Sequence, residues 1–121
     1  MQRVMLRSKL HGVTVTGTEL DYEGSITLDR ALLEAADMLP GEQVHVLNLN
    51  TGSRIMTYII EAASGSGTVL LNGPAARTGE IGDELIVLSY CQLPEAEARD
   101  LKAKVVFADE RNRPSQKGRG L

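Results

Sequence analysis

The chain is short of most residues that supply ready-made chemistry. Its one cysteine, Cys91, excludes an internal disulfide framework and a cysteine-rich metal site. Its two histidines, His11 and His45, are too few for a histidine-based zinc centre, so no metal is expected. There is no tryptophan, and the aromatics are Tyr22, Tyr58, Tyr90 and Phe107. The core must therefore be built from Val, Ile, Leu, Met and Ala. Charge of a single sign is lacking too. Thirteen basic residues stand against 16 acidic ones, a net charge of −3. That excludes a strongly basic nucleic-acid binder and a highly charged disordered chain. No apolar run reaches bilayer length, so no membrane partner is expected. Residues 1–9 intersperse charges among apolar side chains and show no signal-peptide core, which gives a reducing cytoplasm as the expected location.

What remains is 121 residues, 42% of them hydrophobic, enough for one compact domain. An enzyme made from them needs a source of reactivity other than a metal or a thiol. Charge is unevenly placed: from Asp109 to Leu121 four basic residues outnumber two acidic ones, which leaves the rest of the chain acidic. This end also holds Pro114, Gly118 and Gly120 and almost nothing apolar. It reads as a flexible tail over 109–121, because it has too little to bury to offset the entropy of ordering it. Residues 1–108 form the expected domain.

That domain reads as strand-rich. Val13-Thr14-Val15-Thr16 alternates with period two, as a half-buried strand does. Gln43 to Asn50 alternates again, Asn50-Thr51-Gly52 signals a turn, and Arg54 to Ala62 completes a hairpin. Ser64-Gly65-Ser66-Gly67 is a second turn, followed by a short strand at Thr68 to Leu71. Leu85 to Leu93 is the longest apolar run, and Lys104 to Ala108 a last short strand. One helix is expected from Arg30, capped by the Asp29 carboxylate and stopped at Leu39-Pro40-Gly41. Leu32, Leu33 and Ala36 share its apolar face. A second helical turn is expected over Pro94 to Leu101. Many short strands, glycine-rich turns and short helices together suggest a small closed β-barrel.

Gly24-Ser25 sits between the first strand and the capped helix. Alone, such a pair is a turn, with serine bonding locally to backbone. Several ordered blocks change that reading: Met5-Leu6-Arg7-Ser8-Lys9-Leu10-His11, Leu20-Asp21-Tyr22-Glu23-Gly24-Ser25-Ile26, Gly52-Ser53-Arg54 with Thr57-Tyr58, Asn72-Gly73-Pro74-Ala75-Ala76-Arg77, and Gly79-Glu80-Ile81-Gly82-Asp83. With them the sequence resembles the aspartate 1-decarboxylase family, pyruvoyl-dependent enzymes that make β-alanine for pantothenate. The resemblance runs from Met1 to about Ala108. It implies a mainly β fold, a six-stranded double-psi β-barrel with short helices, to which Gly82-Asp83 would contribute a turn.

The resemblance also implies a chemistry. The Ser25 hydroxyl attacks the Gly24 carbonyl, the chain is cut between Gly24 and Ser25, and Ser25 becomes a pyruvoyl group. Glycine suits the first position because no side chain blocks the attack. The pyruvoyl group forms a Schiff base with L-aspartate and acts as an electron sink for loss of CO₂. By the same resemblance, Thr57 assists cleavage and contacts substrate, and Tyr58 donates the proton to the product carbon. Arg54 and Lys9 bind the carboxylates, with the planar fork of Arg54 matching one of them bidentately. Asn72, Gly73, Pro74 and Ala75 form a substrate-binding loop, and Tyr22 and His11 lie near the site. Without the resemblance, Arg54 and Lys9 read as solvated strand charges, Tyr22 as core packing and His11 as structural. His45 reads as a surface strand residue and Cys91 as a buried small hydrophobe.

On a regular strand Arg54 and Tyr58 share a face, and Thr57 lies opposite. Either the strand bulges there or a neighbouring subunit supplies part of the site. The implied partners are L-aspartate, further copies in a homotetramer with sites between subunits, and a possible maturation helper. Leu47, where some relatives carry tryptophan, Pro74, where some carry a smaller residue, and Ser8, where some carry glycine, are the departures. Decarboxylation of another acidic amino acid and a non-enzymatic binding barrel are the alternatives.

Overall fold

A computed structural model describes residues 1–116. It is mainly β. In chain order the elements are β1 (Gln2–Thr14), β2 (Gly17–Glu19), β3 (Ser25–Asp29), α1 (Arg30–Ala36), β4 (Gln43–Asn48), β5 (Arg54–Ala62), β6 (Val69–Asn72), a 3-10 turn (Gly73–Arg77), β7 (Glu84–Pro94), α2 (Glu95–Asp100), β8 (Lys104–Ala108) and β9 (Pro114–Ser115). The strands join in the order β2-β6-β3-β5-β4-β7-β1-β8-β9. Six strands were expected and nine are described, of which β2 and β9 add only three and two residues. The ladder is not strictly closed, since β2 and β9 remain its two ends. Three pairs are parallel, β1/β8, β2/β6 and β3/β5, so the chain must cross over between them.

The two longest strands, β1 and β7, pair antiparallel from Gln2↔Pro94 to Thr14↔Glu84. Register shifts between Leu6 and Ser8 and between His11 and Val13 bend this pair, as bulges do at barrel corners. Leu10, Val13, Val15, Ile26, Leu28, Val44, Val46, Ile59, Val69, Leu71, Leu85 and Val87 fill the interior, joined by Leu32, Leu33 and Ala36 of α1. The core is aliphatic, as the shortage of aromatics requires.

The β4–β5 hairpin and β8 fall where the sequence puts them. The Asp29 cap is present: its Oδ1 accepts from Ala31 N at 2.8 Å. The same carboxylate, only 1% exposed, also accepts from Gly65 N and Gly67 N at 2.9 and 2.8 Å. It therefore fastens the 64–67 turn to the start of α1. The helix stops at Ala36, short of Leu39, because Asp37 turns left-handed (φ 55°) and its N–H bonds back to Leu33 and Glu34 carbonyls. β3 was not expected. Its residues are all buried, so they show no alternation to read.

The flexible tail expected over 109–121 needs correction for its first part. Residues 109–116 fold back, and β9 pairs with β8. Asn112 is 2% exposed and left-handed (φ 59°). It accepts from Thr14 N at 2.7 Å and donates to the Thr14 and Gly67 carbonyls at 2.8 and 2.9 Å. One polar side chain thus replaces the apolar burial that the composition lacks. Residues 117–121 lie outside the described residues. Asn112→Ala is expected to destabilise the fold by about 3 kcal/mol, since it strands buried backbone groups and puts alanine in a left-handed conformation. Urea unfolding monitored by circular dichroism measures this.

Candidate active site

Ser25 opens β3 and is fully buried. Its Oγ donates to the Glu23 carbonyl at 3.0 Å, a local bond that serine readily makes in turns. It accepts from Asn72 Nδ2 at 3.0 Å, and the same amide donates to Thr27 Oγ1 at 2.8 Å. Asn72 is held there because β6 pairs with β3 and sets Asn72 opposite Ser25. Its Oδ1 is buried with no partner among the described residues. A buried acceptor left without a donor is costly, and such atoms gather at functional sites.

The expected loop at 72–76 is instead the end of β6 followed by the 3-10 turn, in which Pro74 supplies an early position. Gly73 (φ 58°) passes so close to the Gly24 segment that an added Cβ would lie 2.5 Å from the Tyr22 carbonyl oxygen and 2.7 Å from Gly24 N. Gly24 is pressed from the same side: a Cβ there would meet Pro74 Cδ at 3.2 Å. The Gly24 segment is therefore pressed closely by the backbone at Gly73 and by Pro74. Gly24, Ile55, Met56, Thr57, Pro74, Ala75 and Thr78 wall a cavity of about 360 Å³ beside it. Thr57 of β5 lines this cavity together with Gly24. On the other side of Asn72, a second cavity of about 360 Å³ is walled by Glu19, Tyr22, Thr27, Ile60, Leu70 and Asn72. Tyr22 is 52% exposed, so the core-packing reading of it does not hold.

β5 carries no bulge from Arg54 to Tyr58; its pairing with β4 is regular from Leu47↔Arg54 to Gln43↔Tyr58. Alternation therefore holds, and Thr57 and the pair Arg54/Tyr58 point to opposite faces. Hydrogen bonding toward the Glu23 carboxylate, with smaller effects of burial and of charge nearby, raises the Tyr58 phenol above the usual tyrosine range. Neighbouring registers place Arg54, Leu47, Ile86 and His11 in one row across β5, β4, β7 and β1. Lys9 and His45 lie one step along on the same face. Three strand spacings, about 14 Å, separate Arg54 from His11. His11 leans on Phe107 at 5.6 Å, and burial followed by the Lys9 charge lowers its pKa.

Arg54 and Lys9 thus share the outer face of the sheet, while Ser25 is closed inside. The structure brings Gly24, Ser25, Thr57 and residues 72–75 together; it does not bring Arg54 or Lys9 to them. Nor is Arg54 an idle strand charge. Its Nε donates to His45 Nδ1 at 3.3 Å, and its Nη2 donates to Tyr90 Oη at 2.9 Å and lies 3.2 Å from His45 Nδ1. Sequence reasoning gave no site role to His45, Tyr90 or Glu23. The hairpin register was the available signal, because it sets His45 diagonally across from Arg54. Cys91 is half-buried and walls a groove with His45 and Tyr90, where full burial was expected.

A barrel in which a fully buried serine follows a closely packed glycine can be placed by comparison. A family model matches residues 1–115 and sets the chain among the decarboxylases, which are lyases. The model is described as Aspartate decarboxylase, and the chain belongs to that family. It is 51% identical over 114 residues to the Aspartate 1-decarboxylase of Thermoanaerobacter pseudethanolicus, covering 94% of this chain and 97% of that one. It is 53% identical to the Aspartate 1-decarboxylase of Salinibacter ruber, over 93% of this chain and 77% of the relative. It is 52% identical to Aspartate 1-decarboxylase 2 of Gloeobacter violaceus, over 93% and 90%. A solved structure of the rationally designed protein mkDPBB_sym_86 aligns with a TM-score of 0.47 at 17% identity, over 65% of this chain and 91% of that one. That likeness is too distant to carry an argument.

Proposed function

We propose that this chain is a self-processing L-aspartate 1-decarboxylase that releases β-alanine for pantothenate synthesis in the cytoplasm. The observation that carries the reading is the fully buried Ser25 hydroxyl, held by Asn72 beside a Gly24 carbonyl on a clamped segment. In the acyl shift, Ser25 Oγ bonds to the Gly24 carbonyl carbon, the C–N bond breaks, and the hydroxyl proton passes to the released amine. Loss of the Ser25 Cα proton then expels Gly24 as a carboxylate. Water adds to what remains of residue 25, and ammonia leaves. Thr57, which lines a cavity with Gly24, polarises that carbonyl during attack in this reading.

The surroundings fit the pyruvoyl group this leaves. The Ser25 oxygen that Asn72 Nδ2 holds departs with the Gly24 carboxylate, which would leave that donor for the carbonyl oxygen supplied by water, and Gly73 keeps the space clear of side chain. When formed, the group supplies a carbonyl electron sink for the amine of the substrate. Asn72 and the backbone of residues 73–75 orient the substrate beside it, and Tyr58 holds the proton for the product carbon. Arg54 and Lys9 bind carboxylate. Because they face away from their own Ser25, the reading includes a homotetramer in which a neighbour's outer face closes each site. Met56, 60% exposed on that face, would be covered by the neighbour.

Intact mass spectrometry of the purified protein tests the reading. The expected result is two chains, 1–24 and 25–121, with the larger lighter by one ammonia than a serine-started chain. β-Alanine should then appear from L-aspartate, with no corresponding product from L-glutamate. A chain that stays whole through every maturation condition overturns it.

A further inference from the structure

Arg54 does not meet solvent as a free fork. His45 Nδ1 takes up its Nε side, and Tyr90 Oη accepts from Nη2 at 2.9 Å. The two acceptors are themselves packed together, with ring centroids 5.0 Å apart and planes at 64°, an edge-on contact. They come from different strands, His45 from β4 and Tyr90 from β7. The guanidinium is therefore held from two sides by a pair of rings that hold each other. Among the described residues no bond to Nη1 is formed, so both of its N–H groups remain for an incoming carboxylate.

We infer that His45 and Tyr90 are positioning residues for Arg54: they occupy one side of its guanidinium and present Nη1 to the carboxylate of the substrate. The inference rests on the proposed role of Arg54 as the carboxylate-binding cation. Two physical arguments support it. A long arginine side chain loses considerable rotamer entropy on binding, and fixing it beforehand removes part of that cost from substrate affinity. Both acceptors are neutral oxygen or nitrogen atoms, so they orient the cation without cancelling its charge. A carboxylate in either place would compete with the substrate. The contact also specifies the imidazole: Nδ1 must carry the lone pair, which puts the proton of a neutral ring on Nε2. Among the described residues, the other polar or titratable side chains on this face near the rings are Gln43, Gln92, Lys9 and Tyr58, none of them an anion.

The role is one of binding, so it should appear in KM and leave kcat nearly unchanged. The test uses the matured enzyme, with maturation verified by intact mass for every variant. Tyr90→Phe removes only the hydroxyl, and His45→Leu removes the ring acceptor. Each is expected to raise KM for L-aspartate by about 10-fold, the scale of a lost hydrogen bond to a charged group, with kcat within about 2-fold. His45→Asn restores an acceptor near the Nδ1 position and should recover KM to within about 3-fold of the parent, which a merely structural loss would not do. In an Arg54→Lys background, adding Tyr90→Phe should change KM no further, because the partner it positions is gone. Unchanged KM in both single variants, or a Tyr90→Phe effect that persists in full in the Arg54→Lys background, overturns the inference. If the parent enzyme releases β-alanine in that experiment, the proposed function stands and this inference alone falls. If the parent matures but releases none, the functional reading falls and takes this inference with it.

Discussion

Ser25→Ala leaves a single chain of 121 residues and no β-alanine release above background. The loss is expected to be complete, because on the proposed function the substitution removes both the hydroxyl that attacks the Gly24 carbonyl and the side chain from which the carbonyl group is made. The fold should survive. Ser25 is fully buried, and alanine fits its space; what is given up is one bond from Asn72 Nδ2 and one to the Glu23 carbonyl. Asn72 keeps its second bond, to Thr27. A stability loss of about 1–2 kcal/mol follows from those two hydrogen bonds. Intact mass, a β-alanine assay and a thermal melt read the three parts separately. A Ser25→Ala chain that still divides between residues 24 and 25 would defeat the mechanism.

Gly73→Ala should be the most damaging substitution that leaves every reactive group in place. At φ 58° alanine is strained, and its Cβ would lie 2.5 Å from the Tyr22 carbonyl oxygen, 2.7 Å from Gly24 N and 2.9 Å from Gly24 Cα. All three are backbone atoms, so no side-chain rotation can relieve the overlap. The Gly24 segment must move away from the turn, and with it the carbonyl that Ser25 attacks. Strain of about 1–3 kcal/mol is expected from the conformation alone. A displacement near 1 Å at a reacting centre can cost about 100-fold in rate. Accumulation of uncut chain, followed by mass spectrometry over time, should therefore slow by at least about that factor. Cleavage at the parent rate would show that the close approach of Gly73 does not set the attack geometry.

Legibility in the sequence followed burial. The β4–β5 hairpin was readable because β4 alternates polar and apolar sides and because Asn50-Thr51-Gly52 marks the turn, and β8 because it is a short apolar β-branched run. β3 was not readable: Ser25 to Asp29 are buried on both faces, and periodicity vanishes when no side meets water. The end of α1 was misplaced because Asp37 already turns left-handed, four residues before Gly41 does. Asn112 looked like part of a polar tail; its burial depends on a gap between Thr14 and Gly67 that only the folded chain creates.

The site divides the same way. Gly24, Ser25, Thr57, Arg54, Lys9 and residues 72–75 were named from ordered blocks of resemblance, and strand alternation separated Thr57 from Arg54. The partners of Arg54 were not named. His45 and Tyr90 belong to different strands and become neighbours only through the pairing of β4 with β7. That pairing is a tertiary fact with no local signal.

The place of β1 in the sheet has a consequence for the order of events. Residues 1–24 contain a 13-residue strand inserted between β7 and β8, with neighbours along both edges. They also contain β2, which pairs with β6. A cut after Gly24 therefore leaves the shorter fragment woven into the middle of the barrel, unable to depart without the rest coming apart. The converse is equally binding. Two separate pieces would have to find each other and thread a central strand into an otherwise complete ladder. On the proposed function, assembly precedes the opening of the bond and the cut would work as a ratchet: a molecule would gain its reactive end only after folding, and lose the simple route by which it folded.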